Sequence, residues 1–220
     1  MKRLLILFLL FTTIAIEALM PNMQVLSESP RIYLIENFLM PYECDHIVNA
    51  ARDQLARSTV VDTQSSQSVL NNARTSRGMF FPQFPDDPIL KNIQQRISLY
   101  TEFPIENGEG LQVLHYGIGG EYQPHFDWFD PKMPGTAAHL NRGGQRIATL
   151  IMYLHTTDQG GETIFPRVNV KVKPIKCNAV LFYNCLPDGQ EDPLSLHGGA
   201  PVIKGEKWIA TKWLRAGTFR

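Results

Sequence analysis

The chain has 220 residues, with 21 basic and 21 acidic side chains balancing to a formal net charge of zero. That length fits one domain with a full core, and the charge balance argues against an electrostatic grip on a nucleic-acid backbone or an anionic membrane surface. Three cysteines, Cys44, Cys177 and Cys185, do not make a disulfide framework. Cys177 and Cys185 bracket the strand-like "NAVLFYN", which holds them too far apart to bridge, so at most one non-local bridge is open to the chain.

The first twenty residues, "MKRLLILFLLFTTIAIEALM", carry two basic residues, an apolar run from Leu4 to Ile16 and a more polar exit. This is the layout of a secretory signal peptide or a signal anchor, although the run is shorter than the ~20 residues of a spanning helix. Export into the secretory pathway, with membrane association only through this segment, is the expectation. The polar residues around "QVLSESP" make 21–29 a linker, and one domain is expected over 30–220.

Next, "PYECDHIVNAARDQL" (41–55) opens with proline at a helical first position and repeats apolar residues at Cys44, Ile47, Val48, Ala51 and Leu55, a helical period. "DDPILKNIQQRISLYTEF" (86–103) has an Asp cap, Pro88, and Ile89, Ile93 and Ile97 four apart, which predicts a second amphipathic helix. Both are expected to cover a sheet. From Leu111 the texture becomes β: "LQVLHY", "RIATLIMYL", "VNVKV", "NAVLFYN" and "KWIATKWLR" are rich in branched and aromatic residues and separated by turn-forming clusters. No helical crossovers fit between them, so a two-sheet antiparallel sandwich or jelly roll is predicted. Residues 130–145 read as a mobile loop beside the site, and the single "RGG" at 142–144 belongs to that loop rather than to a nucleic-acid-binding segment.

The chemistry gathers in "YQPHFDWFD" (122–130), which sets His125 and Asp127 two apart. On a strand these side chains project from one face, as two metal ligands can, but such a pair alone is more often a surface hydrogen-bonded couple than a metal site. His197 lies seventy residues beyond Asp127, and Lys207 ten residues beyond His197. Two histidines and a carboxylate form the facial triad of non-haem Fe(II) oxygenases. In "KWIATKWLR", Lys207, Ile209, Thr211, Trp213 and Arg215 share one strand face, and a cation looking into a sandwich needs an anionic partner. His46, His115, His139 and His155 show no comparable spacing, and Tyr153 in "IMYL" reads as core. A zinc hydrolase using His₂Asp would need a positioned general base, which no motif supplies.

The H-x-D pair, the distant His, the following Lys, "GGETIFP" (160–166), "SLHGGAPVIKGEKW" (195–208), "FLMPYECDHIV" and "ARTSRGMFF" together resemble the catalytic domain of 2-oxoglutarate- and Fe(II)-dependent prolyl 4-hydroxylases of the collagen type. The resemblance runs from about Pro30 to Arg215. It implies a mainly β fold, a double-stranded β-helix (jelly-roll) core with flanking N-terminal α-helices. It further implies that His125, Asp127 and His197 hold Fe(II), that Lys207 pairs with the distal carboxylate of 2-oxoglutarate, and that Tyr116 and Thr163 hydrogen-bond this cosubstrate. L-ascorbate is the implied further cofactor, and the implied partner is a proline-containing peptide or protein. Tyr122, Arg146 and Trp213 fall where the peptide groove lies. Arg215 stands where relatives can carry His, which puts substrate preference there in question, and Cys177 occupies a turn often given to Gly. Hydroxylation of another protein residue, or a non-catalytic secreted binding module of the same fold, are the alternatives.

Overall fold

A computed structural model describes residues 23–61, 65, 67–69, 71 and 73–220; the leader expected at 1–20 lies outside the described residues. In chain order the strands are β1 Met23–Glu28, β2 Arg31–Ile35, β3 Ala56–Arg57, β4 Val60–Val61, β5 Ser68–Val69, β6 Arg77–Phe80, β7 Gln112–Tyr116, β8 Tyr122–His125, β9 Arg146–Tyr153, β10 Gln159–Gly160, β11 Thr163–Phe165, β12 Val170–Val172, β13 Ala179–Tyr183, β14 His197–Gly199, β15 Val202–Lys204 and β16 Lys207–Arg215. The helices are α1 Pro41–Ala51, α2 Pro88–Thr101 and the single-turn α3 Ala137–Leu140. An eight-stranded sheet runs β1-β2-β13-β9-β16-β7-β6-β3, and a four-stranded sheet runs β12-β11-β14-β8. These are the antiparallel sheets of the expected jelly roll.

Period-two alternation sorts the larger sheet into two faces. Ala148, Leu150 and Met152 of β9, with Trp208, Ala210 and Leu214 of β16, pack with Ile47 and Ala51 of α1 and Leu90, Ile93 and Ile97 of α2. The alternate residues Ile151, Tyr153 and Ile209 join Phe165, Val172, Phe182 and Val202 in a second cluster, between the sheets. Ile93 is fully buried, so Ile93→Ala removes a side chain whose loss costs about 2–5 kcal/mol at such sites.

Both long helices begin where the sequence predicts. Asp87 caps α2 by accepting from the amides of Ile89 at 2.8 Å and Leu90 at 3.1 Å. Glu43 accepts from the Met40 amide at 2.8 Å, closing the start of α1, and also receives both terminal nitrogens of Arg96 at 2.7 and 2.9 Å. One buried carboxylate thus caps α1 and ties it to α2.

Two expectations are corrected. The linker expected at 21–29 contains β1, which pairs antiparallel with β2. It is an edge strand with mostly exposed side chains, so no buried face marks it as a strand in the sequence while its backbone completes the sheet. The loop expected over 130–145 folds into a 3₁₀ turn at Pro134–Thr136 and then α3. Thr136 fixes its start by donating to the carbonyls of Asp130 and Met133.

Candidate active site

Strand pairing brings the ligand candidates together. In the smaller sheet His197 lies directly opposite His125, and Asp127 follows the end of β8. One donor atom from each of His125, Asp127 and His197 lies within 4.8 Å of the others, close enough to hold a metal ion. The Nε2 atoms stand 3.7 Å (His125) and 3.4 Å (His197) from Asp127 carboxylate oxygens.

The backbone sets the tautomer of both rings. His125 Nδ1 lies 2.9 Å from the Gln123 carbonyl and His197 Nδ1 lies 3.0 Å from the Ser195 carbonyl. A carbonyl only accepts, so each Nδ1 carries the hydrogen and each Nε2 lone pair faces the third ligand. Burial, reinforced by His197, pulls the His125 imidazole down to about 3, leaving a neutral ligand at neutral pH. Burial opposes ionisation of Asp127, but the charge that His197 and His125 carry when protonated outweighs it and holds the carboxyl well below the usual carboxylate range. Thr149 donates to Asp127 Oδ2 at 2.7 Å and accepts from Asn184 at 2.9 Å, which orients the carboxylate. The donor set, with open space beside it, fits a divalent iron.

A cavity is lined by Leu114, Tyr116, Ile151, Thr163, Lys207 and Ile209 together with the three ligand candidates. Lys207 pairs with Tyr116 across β16 and β7, and Thr163 with Gly199 across β11 and β14. Lys207 is 3% exposed, and its ammonium lies 5.5 Å from the Tyr116 ring centroid. No salt bridge to it is formed among the described residues, and burial pulls it down to about 8. A Cβ at Gly199 would stand 3.4 Å from Nζ, so glycine there keeps the space around the cation clear. Thr163 accepts from the buried Tyr153 hydroxyl at 2.8 Å, leaving its own proton to donate into the cavity. The lining fits a dicarboxylate: apolar walls, hydroxyls, and a cation in addition to the metal ligands.

The mouth is aromatic. Tyr122, Phe126, Trp128, Phe129, Trp213 and Arg146 line the outer cavity with Arg74 and Gln112. Tyr122 stacks on His125 with centroids 3.6 Å apart. Arg146 lies 3.9 Å from the Trp213 ring centroid and gives Nε and Nη2 to Glu109 at 2.6 and 3.0 Å. Arg215 lines neither cavity and is corrected here. It is 2% exposed, and donates to Glu109 at 2.7 Å and to the carbonyls of His139 and Gly144 at 3.1 and 2.7 Å. The pairing of β16 with β9 shifts register between Leu214 and Arg215, and Glu109 holds the Arg215 guanidinium together with that of Arg146.

Sequence reasoning missed Thr149, Glu109, Arg74 and Gln112. Thr149 alone had a local signal, a polar residue at an inward position of an otherwise apolar strand. Glu109 and Arg74 are buried charges whose partners come from distant segments.

Residues 111–215 match the 2OG-Fe(II) oxygenase superfamily. The chain is 41% identical to prolyl 4-hydroxylase 5 of Arabidopsis thaliana, over 90% of this chain and 72% of that protein. It is 42% identical to prolyl 4-hydroxylase 2 of the same plant, over 88% and 70%. The viral collagen prolyl hydroxylase of Paramecium Bursaria Chlorella virus-1, solved as its 2OG complex, superposes with a TM-score of 0.65 at 30% identity, covering 84% of this chain and 96% of that one. Cavity, ligand set and likeness agree, and the chain is a 2-oxoglutarate- and Fe(II)-dependent dioxygenase that belongs to the prolyl 4-hydroxylase family.

Proposed function

We propose that the chain hydroxylates prolyl residues in extended peptides, with His125, Asp127 and His197 holding Fe(II) and Lys207 holding the distal carboxylate of 2-oxoglutarate. The observation that carries this reading is a buried cation without an ion-pair partner among the described residues, in the same cavity as the His₂Asp set. Fe(II) with 2-oxoglutarate and O₂ supplies the oxidation, coupling decarboxylation to succinate and CO₂ with conversion of a prolyl C–H to C–OH.

The protein's residues bind and orient. The two Nδ1–H···O=C bonds and Thr149 fix the ligand geometry before metal arrives. Lys207, Tyr116 and Thr163 position the cosubstrate, while Leu114, Ile151 and Ile209 keep its methylene chain away from water. Tyr122 and Trp213 offer flat faces to pyrrolidine rings, and Arg146, held by Glu109 through two nitrogens, keeps Nη1 for a peptide carbonyl. Apart from Asp127, no acid lines the inner cavity among the described residues, which leaves the zinc-hydrolase reading without a general base.

The test is tandem mass spectrometry of a peptide containing both proline and lysine, incubated with Fe(II), 2-oxoglutarate and ascorbate. Added oxygen on proline supports the reading; added oxygen on lysine alone moves the acceptor to another residue, and no added oxygen favours a binding module. Ascorbate serves in this reading as the reductant that keeps the metal ferrous, so turnover that never slows in its absence removes that role. Residues 1–20 direct the chain to the secretory pathway in the same reading, with the catalytic domain beginning at β1 and running from 23 to 220. Fractionation of full-length and truncated chains tests it: an untruncated chain found in the cytosol would overturn the targeting.

A further inference from the structure

Three sulfurs remain outside the dioxygenase chemistry, and two are neighbours. Cys44 Sγ in α1 and Cys177 Sγ in the turn before β13 stand 3.9 Å apart across 133 residues of sequence. Cys44 is fully buried and Cys177 is 8% exposed. The Cys177 backbone is fixed on both sides, its amide donating to the Tyr153 carbonyl at 3.0 Å and its carbonyl accepting from the Leu39 amide at 2.9 Å. The same Tyr153 carbonyl lies 3.9 Å from Cys44 Sγ. Cys177 also has a φ of 76°, a left-handed conformation that glycine adopts freely and a side chain resists. At this strained position the side chain points at the second sulfur.

We infer that Cys44 and Cys177 form a dithiol site that a low-molecular-weight disulfide oxidises to an intramolecular bridge, fastening α1 to the junction of β9 and β13. Cys177, the less buried of the two residues, starts the exchange once the site opens: its thiolate attacks the small disulfide, forming a mixed disulfide and expelling one thiolate. Cys44 then loses its proton and attacks the Cys177 sulfur, expelling the second. Two protein thiols become one disulfide and one small disulfide becomes two thiols, so atoms and electrons balance. Burial and the neighbouring Cys177 push the Cys44 thiol up to about 12, which disfavours Cys44 as the first nucleophile and leaves the opening attack to Cys177. Cys185 accompanies neither sulfur, lying instead 3.7 Å from the Arg146 carbonyl.

The full-length chain, held in glutathione disulfide with sub-denaturing urea to open the buried sulfurs transiently, is denatured in iodoacetamide and its alkylated thiols are counted by mass. The reduced chain carries three cysteines and takes up three groups. The oxidised chain should take up one, with a digest fragment linking residues 44 and 177. Because the bridge closes a long loop, its melting temperature should rise on the order of 10 °C, and dithiothreitol should reverse the shift. Cys177→Gly suits the backbone and should fold, keep its two thiols alkylatable and show no shift. Three alkylated thiols after oxidation, a bridge that includes Cys185, or the same melting shift in Cys177→Gly would each overturn the inference.

Discussion

Replacing Lys207 by methionine separates the cost of the buried cation from its use. Lys207 is 3% exposed, and burial lowers its ammonium from an ordinary 10.5 to about 8. That displacement is worth roughly 3 kcal/mol against the folded state while the lysine is charged. Between pH 8 and 10.5 the unfolded chain keeps the proton and the folded chain has lost it, so this residue's contribution to stability rises with pH across that window. Lys207→Met keeps the chain length without the charge. At pH 7 it should therefore stabilise the protein by about 2–3 kcal/mol and raise its melting temperature by roughly 5–10 °C. The same change leaves the distal carboxylate of 2-oxoglutarate without a partner, which costs about 2–4 kcal/mol, or roughly 30- to 1000-fold in its KM. Iron affinity should be unchanged. In the wild type the KM for 2-oxoglutarate should climb as pH rises past 8, while in the variant it should stay flat. Melting curves and initial rates of succinate release read both effects. A variant that is less stable than wild type with an unchanged KM would show a structural cation and refute the reasoning.

His125→Ala, Asp127→Ala and His197→Ala should each remove iron binding and turnover while leaving near-ultraviolet circular dichroism close to wild type, because two ligands are too few for the working geometry. Near-normal activity in any of them would remove the metal assignment. Tyr122→Ala, Arg146→Ala and Trp213→Ala should lower peptide hydroxylation more than the slow peptide-independent release of succinate, and equal losses in both would place the groove elsewhere. Arg215→Ala should destabilise the fold by about 1–3 kcal/mol, as it leaves the buried His139 and Gly144 carbonyls without this donor while Glu109 keeps Arg146. Its peptide KM should rise through a less constrained Arg146, and Arg215→His should restore part of the loss; chemical denaturation and peptide titration measure the two effects.

The parts of the fold that were legible from sequence are those written in local pattern. The alternation in "KWIATKWLR" placed Lys207, Ile209, Thr211 and Trp213 on one face, and all four line the inner cavity. The H-x-D spacing and "SLHGG" placed the ligands, because opposite positions on paired strands meet whatever the rest of the chain does. What stayed hidden depends on partners far away in sequence. Arg215 reads as a groove residue until Glu109, 106 residues earlier, is found holding it. β1 reads as a linker because none of its side chains is fully buried, so no apolar face marks the edge strand. The segment 130–145 folds around carbonyls that Arg215 satisfies, a constraint without a local signature. Cys44 and Cys177 belong to a helix and a turn that only the finished sheet brings together.

The central claim is tested most directly by quantifying succinate and 4-hydroxyproline in parallel from one defined proline-rich peptide, for the wild type and for His197→Ala. The account predicts that peptide-dependent succinate and hydroxyproline rise together in equal amounts in the wild type, require Fe(II), and are both absent in the variant. Succinate that rises without hydroxyproline, or hydroxyproline that persists in His197→Ala, would contradict it.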